Sequence, residues 1–395
     1  MALKVLFLAT RDWYNPATTG GDNTMWENAR YLASAGNEVT FVAAGYAGAP
    51  KADTIDGIRV VRLGGIHSLW LRTFIYYMSH CRGRCEVVVA EGFGGSRIPR
   101  LTPLYVKEPI ISEWHQVHRE LFAVQYPRFL NGPLNLLELI TAWVHRNTLV
   151  RAGTEEWREA FTKLGFKPEN VFVVPVSIRE EWISSSTAAP LPSPASGEGD
   201  EPRILWLGKV RRYKCPDHVI RAMTEVTRQV KNAHLTIAGR RDDTRYEKEL
   251  RDMVERLGLR DSVDFRFDLS EADKRELIRS SRLLVVPSVV EGFGIVVLEA
   301  GACGVPVVAS SGVPEGAVRE GVNGLRYPFG NIDALGKAMV RMLTDEPLHA
   351  ALSANGLAFA RTHGWQTVGS QFEAAVELAA ATHDANRLAR ATTKS

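Results

Sequence analysis

The chain has 395 residues, of which 45% are hydrophobic and 24% charged, and it carries a formal net charge of +3 at pH 7. These fractions are those of an ordinary folded protein and exclude wholesale disorder, and the length suits two domains of about 100–200 residues each. Because the net charge is small, we predict no nucleic-acid partner and expect any anionic ligand to be small.

The cysteines and the apolar runs indicate the cellular compartment. Cys81, Cys85, Cys215 and Cys303 form no C-x-x-C pair and have no histidine at zinc spacing, so we predict neither a disulfide scaffold nor a metal site. The first apolar run, residues 5–9, is typical of a strand and not of a signal peptide. No run reaches the roughly 18 apolar residues of a membrane span. We therefore expect a cytoplasmic protein.

Strand-like runs alternate with helical patterns in the N-terminal half. A helix is predicted over residues 24–35, after a loop that contains Gly20 and Gly21, and Gly36 suits its C-terminal cap. The predicted strands cover residues 4–9, 38–43, 58–63, 86–90 and 109–112. Strands separated by helices favour a parallel sheet with right-handed crossovers.

A segment rich in Ser, Ala, Pro and Gly divides the chain almost in half. Residues 184–202, SSSTAAPLPSPASGEGDEP, lack periodicity and are predicted to be a linker. Beyond it, strands are predicted over residues 204–207, 235–238, 263–265, 283–286 and 307–309. We therefore predict an α/β protein with two doubly wound, Rossmann-like domains, residues 1–183 and 203–364, that face each other across a cleft.

Four cations follow the first strand of the second domain. The segment WLGKVRRYKCPDH contains Lys209, Arg211, Arg212 and Lys214. Cations at the carboxyl end of a strand suit a phosphate ligand. The alternative is a solvated basic loop, which is the usual explanation of a charge cluster whose place in the fold is unknown.

The tetrapeptide EGFG occurs twice, at residues 91–94 and 291–294. After the second copy, an apolar segment without proline predicts a helix that begins near Phe293 or Gly294. The free amides of a helix N-terminus favour a phosphate, so a diphosphate is the expected ligand. Glu291 and Glu299 could accept hydrogen bonds from sugar hydroxyls, or could be a helix cap and a structural acid, and their spacing alone leaves both alternatives open.

The sequence around the second copy resembles a known signature. Residues 287–328, PSVVEGFGIVVLEAGACGVPVVASSGVPEGAVREGVNGLRYP, are similar to the donor site of the retaining glycosyltransferases of family 4, whose two-domain architecture is called GT-B. The resemblance implies that Glu291 contacts the transferred sugar and Glu299 the nucleotide ribose. It also implies that Gly292, Phe293 and Gly294 hold the donor phosphates. A match of this length is far more specific than a lone glycine motif.

The basic segment resembles the G-R-x-x-x-x-K loop of that family. The two cations that bind the donor phosphates fall on Lys209 and Lys214. Lys209 is a departure from the usual arginine, and an ammonium group cannot make the bidentate contact of a guanidinium. We expect Arg211 or Arg212 to compensate, and we assign Arg212 to the donor site.

The N-terminal half has further counterparts in the family. The segment TTGGDN resembles a Gly-Gly loop near the donor sugar, which implicates Gly20 and Gly21. His115, after the strand at residues 109–112, best matches the family's strand-end histidine, and His118 is the alternative. For either histidine, a structural role is the competing explanation. Residues 365–395 resemble a terminal helix, with its tail, that crosses back to the first domain.

The resemblance predicts the reaction. We expect a retaining glycosyltransferase that moves a sugar from a nucleoside-diphosphate-sugar to an acceptor hydroxyl, with the departing diphosphate held by Lys209, Lys214 and the helix N-terminus. The donor is a substrate, and no cofactor or protein nucleophile is expected. No D-x-D motif occurs, so metal independence is predicted. The alternatives are a GT-B nucleotide-sugar epimerase and a non-catalytic sugar-nucleotide binding protein.

Some departures leave the substrates open. Val176-Ser177 replaces an Asn-Gly pair of the family pattern, and Phe267 replaces a glycine. Both lie where the hinge or the nucleotide pocket is expected, so the sugar and nucleobase are not fixed. The acceptor is a glycan, a lipid or a small molecule. In the first EGFG copy, Pro99 stands where the second copy has Glu299, so we predict that Glu91 at most helps to shape the acceptor site.

Residues 68–84 mix aromatic side chains with Arg72, Arg82 and Arg84. Such a helix could rest on an acidic membrane that carries a lipid-linked acceptor, which would place the protein at the inner face of the membrane. The favoured interpretation is that its aromatic side chains belong to the core and that its arginines are solvated.

Overall fold

The chain forms two compact units. The computed structural model describes residues 2–93, 100–184 and 202–392. Unit 1 consists of Met1–Arg119, Pro127–Ser177 and Trp365–Ser395, and unit 2 consists of Glu120–Tyr126 and Ile178–Gly364. The first domain was predicted to end a few residues later, at residue 183. The predicted linker falls almost entirely outside the described residues.

Unit 1 is built on one eight-stranded sheet. Its strands are β1 (Lys4–Leu8), β2 (Glu38–Ala43), β3 (Ala52–Ile55), β4 (Ile58–Arg62), β5 (Val87–Glu91), β6 (Ile110–Glu113), β7 (Leu149–Ala152) and β8 (Val171–Val173). Their order is β3-β4-β2-β1-β5-β6-β7-β8, and β3 pairs with β4 in the antiparallel sense while the other pairs are parallel. Continuous apolar runs such as Val87–Glu91 are buried throughout, as strands covered on both faces require.

Unit 2 is built on a six-stranded sheet. Its strands are β9 (Arg203–Lys209), β10 (His234–Arg240), β11 (Val263–Phe267), β12 (Leu283–Val286), β13 (Val307–Ser310) and β14 (Gly324–Tyr327). Their order is β11-β10-β9-β12-β13-β14, and every neighbouring pair is parallel. In both sheets the strand order reverses beside the first strand, which is the doubly wound pattern that places ligands at the carboxyl ends of the strands.

Helices cover the sheets. In chain order they are α1 (Gly20–Ser34), α2 (Leu69–Tyr76), α3 (Arg119–Gln125), α4 (Arg128–His145), α5 (Glu155–Leu164), α6 (Glu180–Ser184), α7 (Pro216–Gln229), α8 (Thr244–Arg256), α9 (Glu271–Arg279), α10 (Ile295–Ala302), α11 (Ile332–Thr344), α12 (Glu346–Thr362) and α13 (Trp365–Thr392). None of the helices in the described ranges is long and apolar enough to cross a membrane.

The last helix belongs to unit 1. Val368, Phe372 and Val376 on α13 are buried in the same core cluster as Phe7 of β1. Gly369 lies so close to the ring of Tyr31 on α1 that a β-carbon there would collide with it. The chain thus returns to its first unit after completing the second, as the predicted crossover helix requires.

The structure differs from the sequence predictions at several elements. Gly20 and Gly21 open α1 instead of forming a loop, because Thr19 and Asp22 make a reciprocal capping box that starts the helix four residues earlier than predicted. The strands β3, β7, β8 and β14 were not predicted from the pattern of the residues. They are only three or four residues long and give little periodic signal.

Candidate functional site

The second EGFG copy lies between β12 and α10. Gly294 is the N-cap residue of α10, with the left-handed backbone angle φ 91°, and no side chain caps the helix. The helix therefore begins where the sequence predicts, and its first amides have no partner within the helix. Phe293 is buried and its ring lies 5.4 Å from that of His363. This N-terminus has the backbone geometry of a phosphate site.

Glu291 is buried and held by two side chains. Its Oε1 accepts a hydrogen bond from Ser288 Oγ at 2.6 Å and lies 2.5 Å from Lys214 Nζ. Burial would lower the pKa of Lys214, but the charge of Glu291 outweighs it, and the pKa is raised. Lys214 is therefore protonated at neutral pH. The structure thus brings together the two predicted catalytic residues Glu291 and Lys214.

The loop that carries Glu291 is fixed by the segment after β13. The amide of Glu291 donates to the carbonyl of Gly312 at 3.0 Å, and Ser310 Oγ donates to the carbonyl of Ser288 at 2.5 Å. A β-carbon at Gly312 would collide with the carbonyls of Ser288 and Val289. Glycine at 312 is therefore required for this close approach, and the loop is rigidly placed before any ligand binds.

Glu299 has a partner that the sequence did not indicate. It is buried in α10, and its Oε1 lies 3.0 Å from Nζ of Lys274 on α9. Burial would lower the pKa of Lys274, but Glu299 and Glu271 raise it and prevail. Lys274 is one of many charged residues in a polar helix, so no pattern distinguished it from a solvated lysine.

The four cations of the basic segment at the end of β9 have different positions and partners. Lys209 is the last residue of β9, and Lys214 ends a 3-10 turn, Arg212–Lys214. Arg211 forms an ion pair with Asp242. Nη2 of Arg212 donates to both carboxylate oxygens of Glu249 on α8, at 2.7 and 2.8 Å. Arg212 is therefore engaged with α8 in this structure, and its predicted contact with the donor would require that pair to open.

In unit 1 the structure brings His115 to the start of α1. Gly21 lies against the imidazole ring of His115, which leaves no room for a β-carbon at that position. Burial lowers the pKa of His115, so the ring is neutral at pH 7. The three predicted residues Gly20, Gly21 and His115 are therefore neighbours. The alternative histidine, His118, instead lies 2.7 Å from Oε1 of Glu138 on α4.

The first EGFG copy begins at Glu91, which is the last residue of β5, and its Gly94 lies outside the described residues. Glu91 accepts a hydrogen bond from Thr10 Oγ1 and lies 3.6 Å from the guanidinium of Arg100. Arg100 also donates to Thr10 Oγ1 at 2.9 Å. Burial, together with the charge of Glu91, raises the pKa of Asp22 to about 6. Glu91 is thus part of a buried polar cluster at the strand ends of unit 1.

A second carboxylate of unit 1 lies at the end of β6. Glu113 is fully buried and pairs with Arg151 of β7, with Arg151 Nη1 2.9 Å from Glu113 Oε2. Asn28 Nδ2 of α1 donates to Glu113 Oε1 at 3.4 Å. Sequence reasoning did not single out Glu113, although its position beside His115 at a strand end is a signal that could have found it.

Within the described residues, one group has metal-ligating side chains close together. The donor atoms of Cys215, Asp217 and His218, at the start of α7, all lie within 4.8 Å of one another. They line a cavity of about 450 Å³ together with Arg212 and Tyr246. Tyr246 donates its hydroxyl proton to Asp217 at 2.5 Å, and burial raises the pKa of the Cys215 thiol to about 12. Glu291, Glu299 and Lys214 do not line this cavity.

The two doubly wound units and the site of unit 2 define a protein of the GT-B class.

Comparison with known proteins supports the predicted family. Residues 193–359, less than half of the chain, match the model of the family described as glycosyl transferases group 1. This match agrees with the family that the sequence resemblance predicts, and the solved structures described below confirm the predicted fold class.

Curated relatives match part of the chain. A glycosyltransferase of Methanocaldococcus jannaschii described as uncharacterized is 37% identical over 150 residues, which is 38% of this chain and 37% of the relative. A D-inositol 3-phosphate glycosyltransferase of Kribbella flavida is 29% identical over 238 residues, 58% of this chain and 56% of the relative. The chain thus spans 37% and 56% of the lengths of these two relatives.

Solved structures match nearly the whole chain in fold. Sucrose-phosphate synthase from Thermosynechococcus elongatus superposes with a TM-score of 0.77 at 18% identity and covers 96% of this chain and 100% of its own. HepE of Anabaena, in complex with UDP and glucose, has a TM-score of 0.72 at 18% identity and covers 95% of this chain and 99% of its own. At this identity the likeness establishes the fold alone.

Proposed function

We propose that the protein is a retaining glycosyltransferase that transfers a sugar from a nucleoside-diphosphate-sugar to an acceptor hydroxyl. The observation that carries the proposal is the contact between Lys214 and Glu291, at 2.5 Å, beside the uncapped N-terminus of α10. A protonated amine, a buried carboxylate and free helix amides together suit a sugar diphosphate, which presents hydroxyl donors next to anionic oxygens.

The cations of unit 2 would hold the departing diphosphate. Lys214 is protonated, because Glu291 raises its pKa against the effect of burial. An ammonium group in a partly buried position stabilises charge that develops on a leaving phosphate more strongly than it would in water. Lys209, at the end of β9, is the second cation of this proposal. With two cations and helix amides available, the proposed reaction needs no metal ion.

Glu299 and Lys274 would hold the nucleoside. Glu299 is buried and faces Lys274 at 3.0 Å. A carboxylate that is already oriented accepts hydrogen bonds from two vicinal hydroxyls without further ordering, which suits a ribose. Lys274 neutralises that carboxylate while the site is empty.

The proposed chemistry needs no protein nucleophile. The bond between the anomeric carbon and the diphosphate oxygen breaks, and its electron pair leaves with the diphosphate. The acceptor oxygen bonds to the anomeric carbon on the same face, and its proton passes to the departing phosphate oxygen. His115, whose pKa is lowered by burial, would serve as a neutral hydrogen-bond donor to the sugar and not as an acid.

The first test is donor binding. We expect one of UDP-, GDP-, ADP- and dTDP-sugars to raise the thermal unfolding midpoint, because a ligand of the folded state stabilises it. UDP-glucose is the first choice, since HepE is known in complex with it. Failure of all four classes would overturn the proposal.

The second test is transfer, and it separates the alternatives. An inositol phosphate is the first acceptor to offer, because relatives are named D-inositol 3-phosphate glycosyltransferases. A glycosylated product supports the proposal, an altered sugar nucleotide indicates an epimerase, and binding without turnover of any acceptor indicates a binding protein. Transfer should continue in EDTA. Loss of transfer in EDTA and its recovery with Mn²⁺ would contradict the metal-independent mechanism.

A further inference from the structure

Helix α4 of unit 1 has its apolar side chains on the outside. Phe129, Leu136, Ile140 and Trp143 are spaced seven, four and three residues apart, so they form one stripe along the helix. Their exposed fractions are 76%, 57%, 42% and 60%. An isolated exposed apolar side chain is ordinary, but a continuous stripe along an 18-residue helix is not.

The inward side of α4 is mostly polar instead. Its four buried residues are Glu138, Thr141, Ala142 and His145, and three of them have polar side chains. Glu138 accepts from the amide of His118 at 2.9 Å, and His145 Nδ1 is 2.6 Å from Ser112 Oγ. A surface helix normally has the opposite arrangement, with apolar residues toward the core. Polar groups thus anchor the helix, and among the residues that the structure describes no other side chains bury its apolar stripe.

Helix α2 presents a second apolar face. Trp70, Leu71, Phe74 and Ile75 on α2 are exposed, as is Met78 in the π-helical turn Tyr77–Cys81 that follows it, and the exposed fractions of Trp70 and Ile75 are 52% and 54%. The favoured sequence interpretation, in which the aromatic side chains of this segment belong to the core, is therefore wrong for Trp70 and Phe74. It holds for Tyr77, which is buried and donates a hydrogen bond to Glu108.

The two apolar faces are joined by the turn Thr102–Leu104. The ring of Phe74 on α2 lies 5.2 Å from that of Tyr105, which directly follows the turn. The same turn packs against α4. Leu104 in the turn and Leu101 directly before it are exposed. The exposed apolar side chains of α2, of this turn and of α4 are called the apolar face below.

Arginines are the main charged side chains on the two helices of the apolar face, and the half-buried carboxylate of Glu108 lies next to them and accepts a hydrogen bond from the amide of Gly83 at 2.6 Å. Arg72, Arg82 and Arg84 around α2 are exposed, as are Arg128 and Arg146 at the two ends of α4. Residues 66–85 contain no acidic residue, and the only one in residues 128–147 is the buried Glu138. The guanidinium of Arg146 lies 4.7 Å from the ring centre of Trp143. Tryptophan beside arginine is characteristic of side chains at the level of lipid headgroups.

We propose that unit 1 docks on a lipid bilayer with anionic headgroups through the apolar face. The apolar side chains would enter the headgroup region while the five arginines contact lipid phosphates. A second copy of the chain fits less well, because a symmetric contact would bring two sets of arginines together. The proposal does not depend on the proposed transferase activity.

Co-sedimentation of the full chain with vesicles tests the proposal. With vesicles of phosphatidylcholine and 30% phosphatidylglycerol, we expect most of the protein in the pellet at low salt, and little with phosphatidylcholine alone. The double variant Ile140→Gln/Trp143→Gln should lower the partition coefficient at least tenfold, as should Arg72→Glu/Arg146→Glu. The matched control is Leu378→Gln, which changes an equally exposed leucine on α13 away from the apolar face and should bind as the wild type does.

Three results would overturn the proposal. They are no binding to anionic vesicles, full binding by the Ile140→Gln/Trp143→Gln variant, and a dimer in sedimentation velocity without vesicles that the same variant abolishes. The last result would assign the apolar face to a second copy of the chain. All four side chains changed in the two variants are exposed, so the variants should keep the wild-type circular dichroism spectrum. No sugar nucleotide is present, so failure here leaves the proposed function standing.

Discussion

The two copies of EGFG differ in the surroundings of the same carboxylate. Glu91 is the last residue of a buried strand, and Glu291 follows one. Each carboxylate has one cation and one hydroxyl as partners. These are Arg100 and Thr10 for Glu91, and Lys214 and Ser288 for Glu291. The side chains of Glu91 and Arg100 are each 7% exposed, whereas Lys214 is 22% exposed. In addition, Gly294 of the second copy opens an uncapped helix.

The difference distinguishes a buried ion pair from the proposed ligand site. Around Glu91 the hydroxyl of Thr10 and Nη2 of Arg100 are engaged within the protein, and the ion pair has little access to solvent. Around Glu291 the cation has solvent access and lies beside helix amides that await an acceptor. A short motif is therefore not enough to identify a site; the accessibility of its partners and the free backbone groups beside it decide the role.

The largest effect is expected from substitutions in the proposed donor site of unit 2. Lys214→Ala should reduce donor turnover about 10²–10³-fold, as removal of a group that stabilises transition-state charge does. Glu299→Ala should also lose most of the activity. Steady-state kinetics with the donor found in the binding panel measures both effects. Lys248→Ala, an exposed lysine of the same unit, is the control, and near-normal turnover in both site variants would rule out the site assignment.

For the ion pair of Glu91 and Arg100, we predict that a substitution lowers stability without lowering donor affinity. Glu91→Gln leaves the buried guanidinium of Arg100 without its carboxylate, which should lower the free energy of unfolding by about 3 kcal/mol. Urea denaturation measures the loss, and calorimetry should show donor affinity within about twofold of the wild type.

The control for Glu91→Gln is Glu38→Gln, which removes an exposed carboxylate that pairs with Lys4 at 3.5 Å. A surface pair contributes only about 0–1 kcal/mol, so this variant should be nearly as stable as the wild type. Strongly weakened donor binding by Glu91→Gln with unchanged stability would show instead that both copies of EGFG take part in donor binding.

The next prediction concerns Lys274, the partner of Glu299 in unit 2. Lys274→Met removes the partner of Glu299 and should raise the donor KM about tenfold with kcat nearly unchanged, because the nucleoside is bound equally in the ground and transition states. Lys337→Met, on α11, is the control. A large fall in kcat with unchanged KM would show that Lys274 acts on the reacting bond and not on the nucleoside.

The smallest effect is a pH dependence in unit 1. The pKa of Asp22 is about 6 in the folded protein, against 3.8 for the free side chain. The folded state therefore binds this proton more tightly, and lowering the pH from 7 to 5 should stabilise the wild type relative to Asp22→Asn by about 1 kcal/mol. Urea denaturation of both proteins at the two pH values gives the difference. A difference that is flat or has the opposite sign would contradict a raised pKa of Asp22 in the folded protein.

The sequence was informative where apolar runs and glycine geometry coincide. The strand Leu283–Val286 and the start of α10 were predicted within a residue, because a β-branched run, a glycine and a helix-forming segment follow each other there. Lys274 was not found, because its role comes from a contact across 25 residues that no periodicity records. The exposure of Trp70 was also missed, since an amphipathic pattern does not tell which side of a helix meets the core.

The membership of α13 in unit 1 has a consequence for synthesis. Phe372 packs near Phe7, with ring centres 6.5 Å apart, although nearly the whole chain separates them in sequence. Unit 2 lies entirely before α13, so its sheet can close while the ribosome is still translating the end of the chain. Unit 1 begins to emerge first but acquires its complete core last. We therefore expect nascent chains stopped before residue 365 to hold a protease-resistant second unit and a cleavable first one.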